Sequence, residues 1–209
     1  MDLFIAALVL GVMGWSTKSR SERERVQRLA LQLQPYDIEK LMQTLSEGYV
    51  RALGESDTQR RLAIWHLLEP AERKLAEQFQ RLAHDFGQLP PEQARIIALP
   101  LPWLLDFPAR LWPQFFARHS VDMRELLRLH ARGIARAVEA GGASPSARAY
   151  TVLAEMLLMQ HSCHWFCKSR TLASARLLAR HQSSHQKVLE SVDAATRADY
   201  LALTPRFGR

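Results

Sequence analysis

Apolar residues recur every three or four positions along almost the whole chain of 209 residues. That spacing places them on one face of an α-helix, whereas a half-buried strand would alternate apolar and polar residues. No alternating stretch is flanked by the turn residues of a β-hairpin. The pattern therefore predicts an all-α protein, folded as a multi-helix antiparallel bundle.

Capping residues, prolines and glycines divide this pattern into separate helices. Between Pro145 and Pro205 the sequence has no glycine or proline. A single helix of that span would reach about 90 Å, so we expect breaks near residues 169–171 and near Asp193. In the first half of the chain, helices are predicted at residues 20–33, ended by Pro35, from Asp37 to Gly54, after a cap at Ser56 or Asp57, and from Pro70 to Gly87. In the second half, one helix is predicted from Val121 to Gly141 and Gly142, and further helices after Ser144 and Pro145. Residues 204–209 are predicted to be a flexible tail.

The first fifteen residues form the only strongly apolar run of the chain. Lysine and arginine beside a membrane helix favour the cytoplasmic side, and here all the nearby bases follow the run. We therefore expect residues 1–17 to be an N-terminal transmembrane or membrane-anchoring helix with its amino terminus outside. Residues 18–203 would then form a cytoplasmic domain of a single-pass protein in a bacterial inner membrane. The flanking charges are Asp2 before the run and Lys18, Arg20, Arg23, Arg25 and Arg28 after it.

The length of this run leaves two other interpretations open. Leu3 to Trp15 is thirteen residues, about 20 Å as a helix against about 30 Å of hydrocarbon, so a buried or interface-lying helix is one alternative. A secretory signal peptide is the other. It fits less well, because a signal peptide has bases before its apolar core and a small-residue cleavage site after it.

The charge of the chain is +7, from 28 bases and 21 acids. Residues 140–209 contain nine bases and four acids, which supply +5 of this charge. A basic surface of this kind suits anionic lipid headgroups, an acidic protein or nucleic acid. Nucleic-acid readers usually add a recognisable motif or stacking aromatics, and no aromatic residue occurs from Lys168 to Asp199. We therefore favour a solvated helix face for the basic stretch that includes Arg170, Arg176 and Arg180; the alternative is that these residues form a partner or lipid surface at the anionic inner leaflet.

Residues 89–116 interrupt the helical pattern, because six prolines prevent any long helix there. The segment is also rich in large apolar residues, including Trp103 and Trp112. We expect it to fold onto the domain as an apolar crossover that buries both tryptophans. The alternative is that Trp103 and Trp112 contact a partner or lipid.

The most unusual local composition is a group of cysteines and histidines near residue 165. Its spacing, Cys-x3-Cys-x13-His-x3-His, is close to that of a zinc finger. On one continuous helix, however, Cys163 and His181 would lie about 27 Å apart. If the chain instead reverses direction near residue 170, the two residues are still displaced by about 7 Å along the helix axis. We therefore favour a structural role for the cysteines as small buried apolar residues, with metal binding as the alternative. The candidate zinc ligands are Cys163, His164, Cys167, His181 and His185.

The sequence contains no glycine-rich phosphate loop, no His-Glu-x-x-His and no Gly-x-Ser-x-Gly. His130, His161, His164 and Asp122 are the groups to inspect for catalysis assembled from distant positions. With an anchor and no catalytic motif, the expected function is a membrane-anchored scaffold or adaptor for an unknown protein partner, without a cofactor. The alternative is a membrane-tethered metal or redox sensor built on Cys163 and Cys167.

Overall fold

A computed structural model describes residues 2–97 and 120–204, with the backbone alone at residues 2–15, 17 and 97. The described part is mostly helical, which confirms the all-α prediction. The elements in chain order are α1 (Asp2–Leu33), α2 (Ile38–Gly54), α3 (Thr58–Phe86), α4 (Pro91–Ala94), β1 (Arg95–Ile97), β2 (Ser120–Asp122), α5 (Met123–Glu139), α6 (Pro145–Cys167), α7 (Arg170–His181), α8 (His185–Ser191) and α9 (Ala194–Leu203).

Helix α1 joins the apolar run to the amphipathic segment predicted at residues 20–33, and it ends before Pro35. Its 32 residues correspond to a length of about 48 Å. Among the described residues, no helix combines the length and the apolar character that a membrane crossing requires. The carboxyl-terminal half of α1 packs on the domain, where Leu29 is buried.

Local capping sets most of the helix boundaries, as the sequence predicts. The Asp57 side chain accepts from Arg60 N at the start of α3, and the Ser144 side chain accepts from Ala147 N at the start of α6. The predicted breaks near residue 170 and at Asp193 are also present. These boundaries follow from side chains that satisfy the free N–H groups of a first turn.

Two predictions about helix starts were wrong: the side-chain cap at Asp37, although α2 has the predicted bounds, and the helix start at Pro70. Asp37 precedes α2 without capping it, because its carboxylate forms an ion pair with Lys74 of α3 at 2.8 Å. Pro70 does not open a helix but lies inside α3, which continues to Phe86. Pro70 is exposed whereas Leu68 and Glu72 beside it are buried. Tertiary packing on both sides of the proline therefore keeps the helix continuous.

A two-stranded antiparallel sheet, absent from the sequence prediction, pairs β1 with β2 through Ile96 and Val121. Three residues per strand are too few to show an alternating pattern. The strand also delays the start of α5 to Met123 rather than Val121. Most of the predicted crossover, including Trp103 and Trp112, lies outside the described residues.

Helix α6 is the central helix of the described domain. It contacts α1, α2, α5, α7 and α8, and most of its residues from Val152 to Phe166 are buried. Phe166 near its end meets Phe86 edge to face, with ring centroids 5.7 Å apart. No residue of α6 from Val152 to Phe166 is exposed, so a polar side chain in this stretch needs a partner inside the protein.

The end of the described chain is less free than the sequence suggested. Thr204, predicted to begin a flexible tail, is buried, and its hydroxyl donates to the Tyr200 carbonyl at 2.7 Å. Thr204 therefore belongs to the folded domain.

Candidate functional site

An ion pair joins α1 to the link between α6 and α7. Lys168, in the short link between α6 and α7, contacts Glu22 of α1 at 2.6 Å. Both side chains are mostly buried, since 35% of the Lys168 side chain and 14% of the Glu22 side chain are exposed. The pair fixes the basic end of the domain against the part of α1 that follows the apolar run.

Several cations gather at this junction, which we call the basic face; its members are Arg25, Lys168, Arg176 and Arg180. Burial raises the pKa of Cys167, while Arg25, Arg176 and Lys168 act in the opposite direction. Arg176 and Arg180 are exposed on α7. Burial, followed by these two arginines, lowers the pKa of His164. The electrostatic potential at this surface is therefore positive.

An open groove of about 650 Å³ runs between α1 and the start of α2, next to the basic face. Apolar side chains make up much of its wall, and the Asp37, Glu39 and Lys40 side chains contribute charges of both signs. Its apolar lining consists of Val26, Leu29, Ala30, Leu33, Ile38 and Cys167.

The candidate zinc ligands fall into separate surroundings. Cys163 is buried, its thiol lies 3.3 Å from the Met159 sulfur, and burial raises its pKa. Cys167 faces the groove, and His181 lies near His164. In the described ranges no three His, Cys, Asp or Glu side chains are grouped so that they could hold a metal ion. Zinc binding stays a prediction from sequence spacing alone.

His185, the fifth candidate ligand, belongs to a different cluster. Its ring lies 4.3 Å from that of His161, centroid to centroid, and its Nε2 is 3.2 Å from the Tyr200 hydroxyl. His161 Nε2 is in turn 3.0 Å from Ser174 Oγ on α7. Burial lowers the pKa of His161 to about 3 and that of His185 to about 4, with the nearby Arg170 charge as a further cause. Both rings are therefore neutral at pH 7.

His130 of α5 is fully buried beside this cluster, with Nε2 2.8 Å from Ser162 Oγ. Ser162 donates to the Leu158 carbonyl, so it accepts the bond from His130. Asp122 lies apart, where it caps α5 and binds Arg124 at 2.6 Å. The residues considered for catalysis are therefore not brought together as one acid–base group.

Arg170 differs from the two arginines with which the sequence groups it. Its guanidinium lies over the Trp165 ring, 5.5 Å from the centroid, and it is partly buried. Arg176 and Arg180 face the side of α7 nearest His164, whereas Arg170 faces His161 and His185. Arg170 therefore belongs to the histidine cluster and not to the basic face.

Sequence reasoning missed a buried carboxylate at the centre of the domain. Glu155 is fully buried, and its Oε1 accepts from the Asp193 backbone N–H at 3.1 Å. Burial raises its pKa to about 7, against a smaller opposing effect of the Thr196 hydroxyl. The available signal was an acidic residue within a helix that has no polar face.

No protein-family model, curated protein or solved structure was found to match this chain.

Proposed function

We propose that this chain is a membrane-associated helical adaptor on the cytoplasmic side of a bacterial inner membrane. The apolar start of α1 enters the bilayer with its amino terminus outward, and the basic face binds anionic lipid headgroups. The helical domain then presents its outer surface to a protein partner. The charge order around the apolar run favours this orientation.

The observation that carries the proposal is the ion pair between Glu22 and Lys168. It joins the link between α6 and α7 to the part of α1 that directly follows the apolar run. As a result, Arg176 and Arg180 lie on the same side of the domain as Arg25. Each basic side chain near an anionic membrane contributes about 1 kcal/mol to binding, so a cluster on one face adds to a short apolar anchor.

Sedimentation of the full chain with lipid vesicles tests this proposal. We expect binding to vesicles containing phosphatidylglycerol to exceed binding to pure phosphatidylcholine vesicles. The double variant Arg176→Glu/Arg180→Glu should bind the anionic vesicles about 10- to 30-fold more weakly. The matched control, Arg51→Glu/Arg60→Glu, reverses two exposed arginines on α2 and α3. Equal loss in both double variants, or equal binding to both kinds of vesicle, would contradict a role for the basic face.

A further inference from the structure

Arg170 is a partly buried cation without an acidic partner among the described residues. Of the other partly buried arginines, Arg124, Arg128, Arg136 and Arg148 each contact a carboxylate within 3.4 Å, and Arg28 and Arg61 donate to backbone carbonyls. No described carboxylate lies within 4.0 Å of the Arg170 guanidinium, which packs on Trp165 instead. A guanidinium withdrawn from water is strongly stabilised by an anion that accepts its forked N–H groups.

The groups around Arg170 are hydrogen-bonding and uncharged at pH 7. Ser174 lies one turn further along α7, on the same side of the helix. His161 is 1% exposed and contacts Ser174, and the His185 ring lies 4.3 Å from it at an interplanar angle of 40°. Arg170, Ser174 and His185 are each partly accessible to solvent. The cluster therefore has an accessible side formed by three polar residues, with His161 enclosed behind them.

The hydrogen bonds within the cluster can leave donors of Ser174 and His185 unused. When His161 Nε2–H donates to Ser174 Oγ, the serine hydroxyl proton is free for another acceptor. When the Tyr200 hydroxyl donates to His185 Nε2, the His185 ring carries its proton on Nδ1. In that arrangement the guanidinium, a hydroxyl and an imidazole all offer N–H or O–H groups. A tetrahedral oxyanion accepts such a set, because it presents several oxygens in different directions.

We propose that Arg170, Ser174 and His185, backed by His161, form a binding site for a phosphate group. The phosphate is either a free phosphate or the headgroup of a lipid, since the recognising chemistry is the same. The site lies on the opposite flank of α7 from Arg176 and Arg180. It shares no residue with the basic face, so it can be tested separately from the membrane function proposed above.

Binding of inorganic phosphate to the full chain tests the site directly. Calorimetric titration in phosphate-free buffer, at an ionic strength held constant with chloride, should show saturable binding. Arg170→Gln removes the charge with a small change in length, and we expect it to weaken phosphate binding about 10- to 100-fold. Ser174→Ala should weaken binding by less while leaving Arg170 in place. Arg197→Gln, an exposed arginine of α9, is the matched control and should bind as the unaltered chain does.

A second experiment distinguishes the two sources of phosphate. Vesicles containing phosphatidic acid present a phosphate monoester at a membrane, and their binding is compared between the unaltered chain and Arg170→Gln. If Arg170→Gln weakens binding to these vesicles alone, the ligand is a lipid headgroup. If it weakens binding in the phosphate titration alone, the ligand is free phosphate. If neither arm distinguishes Arg170→Gln from Arg197→Gln, the site does not exist. Arg176→Glu/Arg180→Glu should retain inorganic phosphate binding, so failure of the basic face and failure of this site are separable.

Discussion

The carboxylate of Glu155, in the middle of α6, accepts a hydrogen bond from the backbone N–H of Asp193, which caps α9. The same Asp193 binds Arg136 of α5 at 3.0 Å, and Arg136 also donates to Thr196. One buried carboxyl therefore connects the central helix to the start of the last described helix. Burial of this carboxyl makes the stability of the domain depend on pH, and its closeness to Gly133 limits the size of the residue there.

The unaltered chain should lose stability as the pH rises from about 4.5 to about 7, and Glu155→Gln should abolish this loss. The pKa of Glu155 is raised to about 7, so the folded state retains a proton that the unfolded state loses, and stability falls as pH rises. The full effect is about 3 kcal/mol, while the glutamine oxygen can still accept from Asp193. Urea unfolding at pH 5 and pH 8 measures it, with the exposed Glu139→Gln as control. An unchanged pH difference in Glu155→Gln would show that Glu155 is charged at little cost.

Gly133→Ala should destabilise the domain by about 1–3 kcal/mol. A Cβ at this position of α5 would lie 2.5 Å from Glu155 Oε2 and from Thr196 Oγ1. Both atoms belong to buried side chains and cannot easily move. Gly142→Ala is the control, since nothing lies within 4 Å of its Cβ. Chemical denaturation compares the two, and equal stabilities would mean that α9 is not closely packed on α5.

Tyr49→Phe should cost about 1–3 kcal/mol of unfolding free energy. The Tyr49 hydroxyl donates to the buried Glu72 carboxylate at 2.8 Å, and Arg148 of α6 lies 3.4 Å from the same carboxylate. Loss of the hydroxyl leaves a buried charge with one partner fewer. Tyr150→Phe, at an exposed position of α6, serves as the comparison. If both variants unfold at the same urea concentration as the unaltered chain, the Tyr49 bond contributes nothing.

His130→Gln should reduce acid sensitivity even though it weakens the domain at neutral pH. Burial lowers the pKa of His130 to about 3, so below about pH 6.5 the unfolded state binds a proton that the folded state excludes. Stability therefore falls as pH falls from about 6.5 towards 3. Thermal unfolding at pH 4.5 and 7 shows the difference, which should be smaller in His130→Gln than in the exposed His84→Gln. The opposite order would contradict a neutral buried His130.

The sequence predicts the helices well where the deciding contacts are local. Asp57 and Ser144 cap helices that begin within three residues of them, so a short window of sequence contains the whole interaction. Asp37 has the same local pattern, but Lys74, 37 residues away, binds its carboxylate instead. Pro70 is similar, because packing on either side of it overrides its tendency to begin a helix.

The candidate site is less predictable, because it depends on which side chains face each other between helices. His185 is grouped with Cys163 and Cys167 by spacing, yet it pairs with His161 after the turn at residues 182–184. That turn requires Gln182 in a left-handed conformation at φ 51°, which its residue type does not signal. Arg170 and Arg176 belong to the same basic stretch of the sequence, but they lie on opposite flanks of α7 and therefore have different neighbours.

Fractionation of cells that express the full chain tests the proposed membrane association most directly. We expect the chain in the membrane pellet after a high-salt wash, because the apolar start of α1 holds it there. Leu8→Arg/Val9→Arg interrupts that run, so the variant should be retained at low salt by the basic face and released by high salt. Recovery of the unaltered chain in the soluble fraction at low salt would contradict the membrane function altogether.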